Sequence, residues 1–189
     1  MIQIIPNFLP VELFKQCRDE SRQIEYYCRS ERSGDGLSSY GEDIIRVCGS
    51  RLNLRVNDYD VKYKKRSGLK FNPHMDYVSQ LHVLIYIDCP SVSTEQGTFF
   101  SSGKQSEDIF CSVAPIPNLA VIWAGPRHPA GGTFHGSIQS LYPNPQERTT
   151  INVLITDYTS EAISGPMYKE GKEHRLLDWR ATERQLSDN

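Results

Sequence analysis

Gln80-Leu81-His82-Val83-Leu84-Ile85-Tyr86-Ile87 is an almost unbroken apolar run that halts at the turn pair Cys89-Pro90. It has the length of a strand and falls far short of a membrane span. The same grammar continues downstream: Gly97–Ser101, Cys111–Val113, Leu119–Trp123, Phe134–Ile138 and Thr149–Thr156 read as strands, and Asp60–Tyr63 precedes them. Between them lie Ser67-Gly68, Asn72-Pro73, Ser102-Gly103, Pro115 with Pro117, Gly131-Gly132 and Pro143-Asn144-Pro145. These residues favour turns because glycine reaches left-handed backbone and proline cannot continue a ladder. Many short strands with such frequent turns predict a sandwich or jelly roll, not βαβ units.

Ahead of the strands the period changes. Val11, Leu13, Phe14 and Cys17 follow Pro10 at helical spacing, so a helix is expected within Asn7–Ser21. A second is expected over Glu42–Leu54, with Ile44, Ile45, Val47, Cys48 and Leu52 toward one face. Ser30–Ser39, rich in serine, glycine and charge, reads as a loop. The chain thus divides into a helical part (about 1–56), a β core (about 57–157) and a polar tail (about 158–189) with one amphipathic stretch at Glu173–Leu186. The expected class is mainly β (α+β), one domain spanning 1–189.

A chain of 189 residues is long enough for one real core. A net charge of −2 gives no surface-wide attraction to nucleic acid or acidic membranes. One local exception is the basic group Lys62, Lys64, Lys65, Arg66 and Lys70, either a solvated loop or a substrate-facing rim. Met1–Asn7 lacks a basic segment followed by an apolar one, so no secretory signal is expected. The five cysteines are odd in number, scattered and without a C-x-x-C, which suits reduced thiols and a cytoplasmic setting.

Chemistry concentrates at Pro73-His74-Met75-Asp76. In extended chain, residues i and i+2 project to one side, so His74 and Asp76 can reach one metal ion together. Alone the pair is weak, but His135 opens a later strand and Arg148 follows thirteen residues on, opening the next. A return through Leu141–Pro145 brings that arginine beside the histidine. Two histidines and a carboxylate are the donor set of a non-haem iron(II) site with open positions, and an arginine there suits a dicarboxylate. His128 competes with His135 as the third ligand but lies in a proline-flanked loop, Gly125-Pro126-Arg127-His128-Pro129. His82 reads as a satisfied barrel histidine and His174 as a solvated one.

Over roughly residues 3–157 the sequence resembles the prolyl 4-hydroxylase-like branch of the 2-oxoglutarate/iron(II) oxygenases. The resemblance runs through Ile5-Pro6-Asn7-Phe8-Leu9-Pro10-Val11-Glu12, Glu42–Leu52, Tyr63–Gly68 leading to Asn72–Asp76, Leu84–Asp88, Gln96–Phe100 and Val113–Trp123. His135-Gly136 and Arg148 close it. It departs from the family at Gln96, where a glycine is usual, and in the long His135–Arg148 interval.

The resemblance implies a double-stranded β-helix holding iron(II) on His74, Asp76 and His135, with Arg148 clamping 2-oxoglutarate. Tyr63 and Tyr86 become candidate cosubstrate contacts or simply core aromatics, and Thr150 is placed on the face of Arg148. It further implies dioxygen as co-reactant, ascorbate as a candidate auxiliary reductant, and hydroxylation with release of succinate and carbon dioxide. Asp76 favours hydroxylation because related halogenases lack that carboxylate. A prolyl residue in a peptide or protein, a free amino acid or another small metabolite would be the substrate, without membrane; a nucleic-acid demethylase is a narrower alternative that rests on the basic group at 62–70 alone. Two rivals stay open: a cupin-like metal enzyme that does not use 2-oxoglutarate, and a non-catalytic binding module on the same barrel.

Overall fold

The computed structural model describes residues 2–30, 33–66, 72–76, 78–129, 131–137 and 146–160. Lys70, the 141–145 turn, His174 and the 173–186 stretch lie outside them.

Two helices precede most of the sheet. Helix α1 (Val11–Gln23) starts behind Pro10, whose fixed φ suits a helix entry, and carries Glu12 in its first turn and Arg22 in its last, matching the helix dipole. Helix α2 (Gly41–Leu52) stops at Asn53, which takes left-handed backbone (φ 55°) and returns its N–H to the Gly49 carbonyl.

The strands are β1 (Ile2–Ile5), β2 (Tyr27–Ser30), β3 (Ser33–Leu37), β4 (Leu54–Arg66), β5 (Leu81–Asp88), β6 (Thr98–Ser101), β7 (Ile109–Val113), β8 (Ala120–Ala124), β9 (Phe134–Ser137) and β10 (Arg148–Ser160). They form a seven-stranded sheet, β1-β8-β5-β10-β4-β3-β2, and a three-stranded sheet, β7-β6-β9. All their pairings are antiparallel. A single bridge, with His74 and His135 exchanging both backbone hydrogen bonds at 3.0 Å, adds the 72–76 segment to the free side of β9. Two facing antiparallel sheets make the expected jelly roll.

Register sorts side chains between two layers. Ile85, Ile151 and Tyr63 lie in one cross-strand row, and this face of the large sheet packs beneath α1 and α2 with Ile44, Cys48, Val83, Ile122 and Val153. The next row, Tyr86, Thr150, Lys64 and Asp35, belongs to the opposite face. Between the sheets, Leu84, Tyr86, Val121 and Trp123 meet Phe100 and Val113 of the small sheet.

Several elements differ from the sequence reading. Ser33–Leu37 is a strand and not a loop, because β4 supplies the hydrogen-bonding edge that its weak composition needs. β4 itself runs for 13 residues, so Lys62–Arg66 form a strand with alternating faces and not a loop. β1 was not expected, and the amino-terminal part contains strands as well as helices.

Candidate metal centre

His74, Asp76 and His135 converge at one end of the gap between the sheets, their nearest ligand atoms all within 4.8 Å of one another. The bridge between His74 and His135 explains the meeting: backbone pairing fixes the two histidines opposite each other, with ring centroids 4.6 Å apart. Gly136 permits this approach, since a Cβ there would fall 2.8 Å from the Phe99 ring and 3.1 Å from the Asn72 carbonyl oxygen. The His-Gly pair is therefore a packing requirement as much as a motif.

Both histidines are oriented in the same way. His74 Nδ1 lies 2.8 Å from the Asn72 carbonyl and His135 Nδ1 lies 3.2 Å from that of Thr133. A carbonyl only accepts, so His74 Nδ1 carries the proton and its Nε2 keeps a lone pair for a metal, while the same ring orientation turns His135 Nε2 toward Asp76. His135 Nε2 stands 3.1 Å from Asp76 Oδ2. Two donors at about 2.1 Å from a shared ion and at right angles are separated by about 3.0 Å, so this spacing suits adjacent ligands. Two imidazoles and one carboxylate are a donor set that fits a divalent iron-type ion.

Electrostatics agree. Burial pushes the Asp76 carboxyl upward, but the hydrogen-bonding contacts with His135 and His82 outweigh it and hold it well below the usual carboxylate range. His74 is lowered by burial and then by His135, which keeps a neutral imidazole. His128 is in a turn outside this cluster, so the structure gathers His135 and not His128 with His74 and Asp76.

Arg148 opens β10 on the inward face, 6% exposed, with its guanidinium carbon 5.8 Å from the centre of the Tyr86 ring. Its Nη1 donates to the Gln96 carbonyl at 2.5 Å, while its Nε meets no acceptor. No carboxylate pairs with it among the described residues. Burying a cation without an anion is expensive, by several kcal/mol on the order of the desolvation penalty, which makes this guanidinium a candidate anchor for an acidic group. Burial also lowers the Arg148 pKa from its ordinary value.

The remaining sequence candidates fall on different sides. Tyr86 is buried near Arg148 and its hydroxyl donates to Thr98 Oγ1 at 2.7 Å. Thr150 is buried on the same inward face, but its hydroxyl donates to Asn152 Oδ1 at 2.8 Å. Tyr63 is not brought to the site. It lies on the helix-covered face and donates to Glu20 Oε2 of α1 at 2.8 Å. Lys64 takes the inward position instead, close enough for its charge to lower the pKa of both His74 and His82, behind burial and the other histidine.

Neither a protein-family model nor any curated protein sequence matches the chain. Solved structures do. A Pseudomonas putida prolyl-4-hydroxylase aligns with a TM-score of 0.53 at 14% identity, over 82% of this chain and 91% of that one. A Trichoplax adhaerens prolyl hydroxylase, solved with a hypoxia-inducible-factor degradation-domain peptide, aligns at 0.55 and 15% identity over 87% of each. The fold is that of the 2-oxoglutarate/iron(II) oxygenases. It is not tied to one reaction, since SnoN, a non-haem α-ketoglutarate-dependent epimerase of nogalamycin biosynthesis, aligns at 0.55 and 10% identity over 92% of this chain and 86% of that one.

Two residues beside the His-Asp-His cluster escaped the sequence reading as site residues. His82 and Asn152 sit in apolar runs, where spacing alone makes them core positions. Only the pairing of β5 with β10 reveals that they form a hydrogen-bonded chain to the Asp76 carboxylate.

Proposed function

We propose that this protein is an iron(II)- and 2-oxoglutarate-dependent dioxygenase that hydroxylates a prolyl residue in a peptide or protein, or a free amino acid or similar small metabolite. The observation that carries the reading is Arg148: a buried guanidinium, unpaired by any described carboxylate, in a barrel that also gathers a His-Asp-His ligand set. That combination asks for a ligand with a metal-binding end and a distant carboxylate, which is what 2-oxoglutarate offers.

His74, Asp76 and His135 would hold the ion through two imidazole nitrogens and one carboxylate. When bound, iron(II) with 2-oxoglutarate and dioxygen supplies the oxidising power for attack on an unactivated C–H bond, yielding succinate and carbon dioxide. The chain's own share is placement. Arg148 receives the far carboxylate by charge-assisted hydrogen bonds, with Tyr86 beside it and Thr150 on the same face. Trp123, 1% exposed, packs against both rings, with centroids 4.5 Å from that of His135 and 4.1 Å from that of His82, an apolar wall beside the cluster.

The test is 2-oxoglutarate affinity of the anaerobic iron(II) protein by calorimetry. Truncating one partner of a buried charge pair costs about 2–5 kcal/mol, so Arg148→Ala should weaken binding by about 30-fold or more. Metal affinity should change little, and Arg148→Lys should recover part of the loss. Undiminished 2-oxoglutarate binding in the alanine variant would leave a cupin-like enzyme or a binding module as the better account.

A further inference from the structure

We propose that His82 is a positioning residue for the metal centre, held by Asn152 and Thr150 so that it presents an N–H to the Asp76 carboxylate. The inference rests on the metal-site reading above.

The hydrogen-bond chain has a direction. A carboxylate accepts and does not donate, so His82 Nδ1, 2.5 Å from Asp76 Oδ2, must carry the proton. Asn152 Nδ2 lies 3.2 Å from His82 Nε2 and supplies the N–H that a bare ring nitrogen needs. That orientation of the amide turns Asn152 Oδ1 to the Thr150 hydroxyl, which donates to it at 2.8 Å. Each member therefore fixes the next, from Thr150 to Asn152, His82 and finally Asp76.

Its position argues against a purely structural role. His82 is 1% exposed, Asn152 7% and Thr150 3%, and the ring of His82 stacks against Trp123. A buried polar network is weak evidence for stability, since well-packed apolar groups in place of a whole set are often as stable or more so. What the chain adds is orientation. Among the described residues, the segment of Asp76 pairs with the small sheet through the His74 bridge alone, so the described backbone pairing constrains its carboxylate weakly. The His82 contact ties that carboxylate to the large sheet, within 3.1 Å of His135 Nε2, before any ion arrives. Ligands ordered in advance leave less entropy to be lost on binding.

The experiment compares the full-length protein with His82→Leu, His82→Asn and Asn152→Leu. It measures Mn(II) affinity by calorimetry, the Co(II) visible spectrum and the Tm of the metal-free protein. Loss of such a supporting contact is expected to lower metal affinity by about 10–100-fold. His82→Leu should show that loss and an altered Co(II) spectrum; its metal-free Tm should fall too, because Asn152 Nδ2 and Asp76 Oδ2 each lose a partner, so affinity and spectrum decide. His82→Asn, which returns an N–H near the Nδ1 position, should regain most of the affinity, and Asn152→Leu should lose part of it. Parental affinity and spectrum in His82→Leu would overturn the proposal and make His82 a core residue. Should His82→Leu not fold, Asn152→Leu decides: a weakened site supports the chain, unchanged affinity overturns it. A parent protein that binds no Mn(II), or a His74→Ala variant that binds it as well as the parent, would instead remove the metal-site reading itself.

Discussion

Strands β4, β5 and β10 carry two different molecules on their two faces. Beneath the helices, Tyr63, Val83, Ile85, Ile151 and Val153 form a continuous apolar layer whose one polar tip, the Tyr63 hydroxyl, escapes to Glu20 at its edge. One residue further along each strand, the same sheet buries His82, Asn152, Thr150 and Arg148. The first face gives what a sheet needs in order to fold, burial at about 25 cal/mol per Å² of apolar area. The second accepts the desolvation of imidazole, amide and guanidinium groups and leaves one buried Arg148 nitrogen without an acceptor. Stability and chemistry are thus separated by strand parity, and substitutions one residue apart should fail in different ways.

The largest effect is expected at the ligands. His135→Ala should abolish turnover and also the rise in Tm that Fe(II) or Mn(II) causes by binding only the folded state. His128→Ala should retain that rise, because its ring is not in the cluster. A thermal shift with metal in both variants would show that the ion is held elsewhere.

How far this division was legible depends on the residue. His74 and Asp76 are two apart, and local geometry alone places them together, so they stood out. β5 and β8 were visible because Leu81–Ile87 and Leu119–Trp123 are apolar runs bounded by turns. β3 was not, since Ser33-Gly34-Asp35-Gly36-Leu37 has little strand preference and is held by pairing with β4. Tyr63 shows the same limit more sharply. An aromatic before a metal motif invites a cosubstrate role, but which face it takes depends on the phase of β4 against β10, and a shift of one residue exchanges the faces. The phase that forms puts Tyr63 under the helices and Lys64 on the face of Thr150 and Tyr86.

Tyr63→Phe tests that phase with a smaller effect. Removing the hydroxyl should lower stability by about 1 kcal/mol, a typical net hydrogen-bond contribution, and leave 2-oxoglutarate affinity unchanged. Its pH dependence has a definite sign. Burial pushes the Glu20 carboxyl up, but the Ser39 hydroxyl and amide and the Tyr63 and Ser38 hydroxyls outweigh it, so the folded value lies below the ordinary one. Glu20 therefore contributes fully above its unfolded pKa of about 4.3, and the contribution is lost as pH falls through the folded value. The difference between wild type and Tyr63→Phe should be greatest above that unfolded pKa and should shrink in acid, as read by urea unfolding at several pH values. Weakened 2-oxoglutarate binding in this variant would return Tyr63 to the site and break the two-face division.

The smallest effect separates adjacent lysines. Lys65 shares the helix side with Tyr26, its ammonium 5.5 Å from that ring and 2.9 Å from the Glu147 carboxylate. Lys64 shares the inward row with Thr150 and Tyr86, and its charge reaches His74 and His82. Of these two, Lys64 is the one placed to attract an anionic substrate toward the His-Asp-His cluster. A partly exposed charge pair contributes about 0.2–1 kcal/mol, so Lys64→Gln should raise KM for an acidic substrate by up to about fivefold. Salt should mimic that loss in the parent and have less effect on the variant, since screening removes the same attraction. Lys65→Gln should change neither KM nor its salt dependence. The measurement is succinate release against substrate concentration at low and high salt, with an acidic and a neutral substrate. Equal responses from the two lysines would mean that charge acts from the whole basic run and not through the face that strand parity selects.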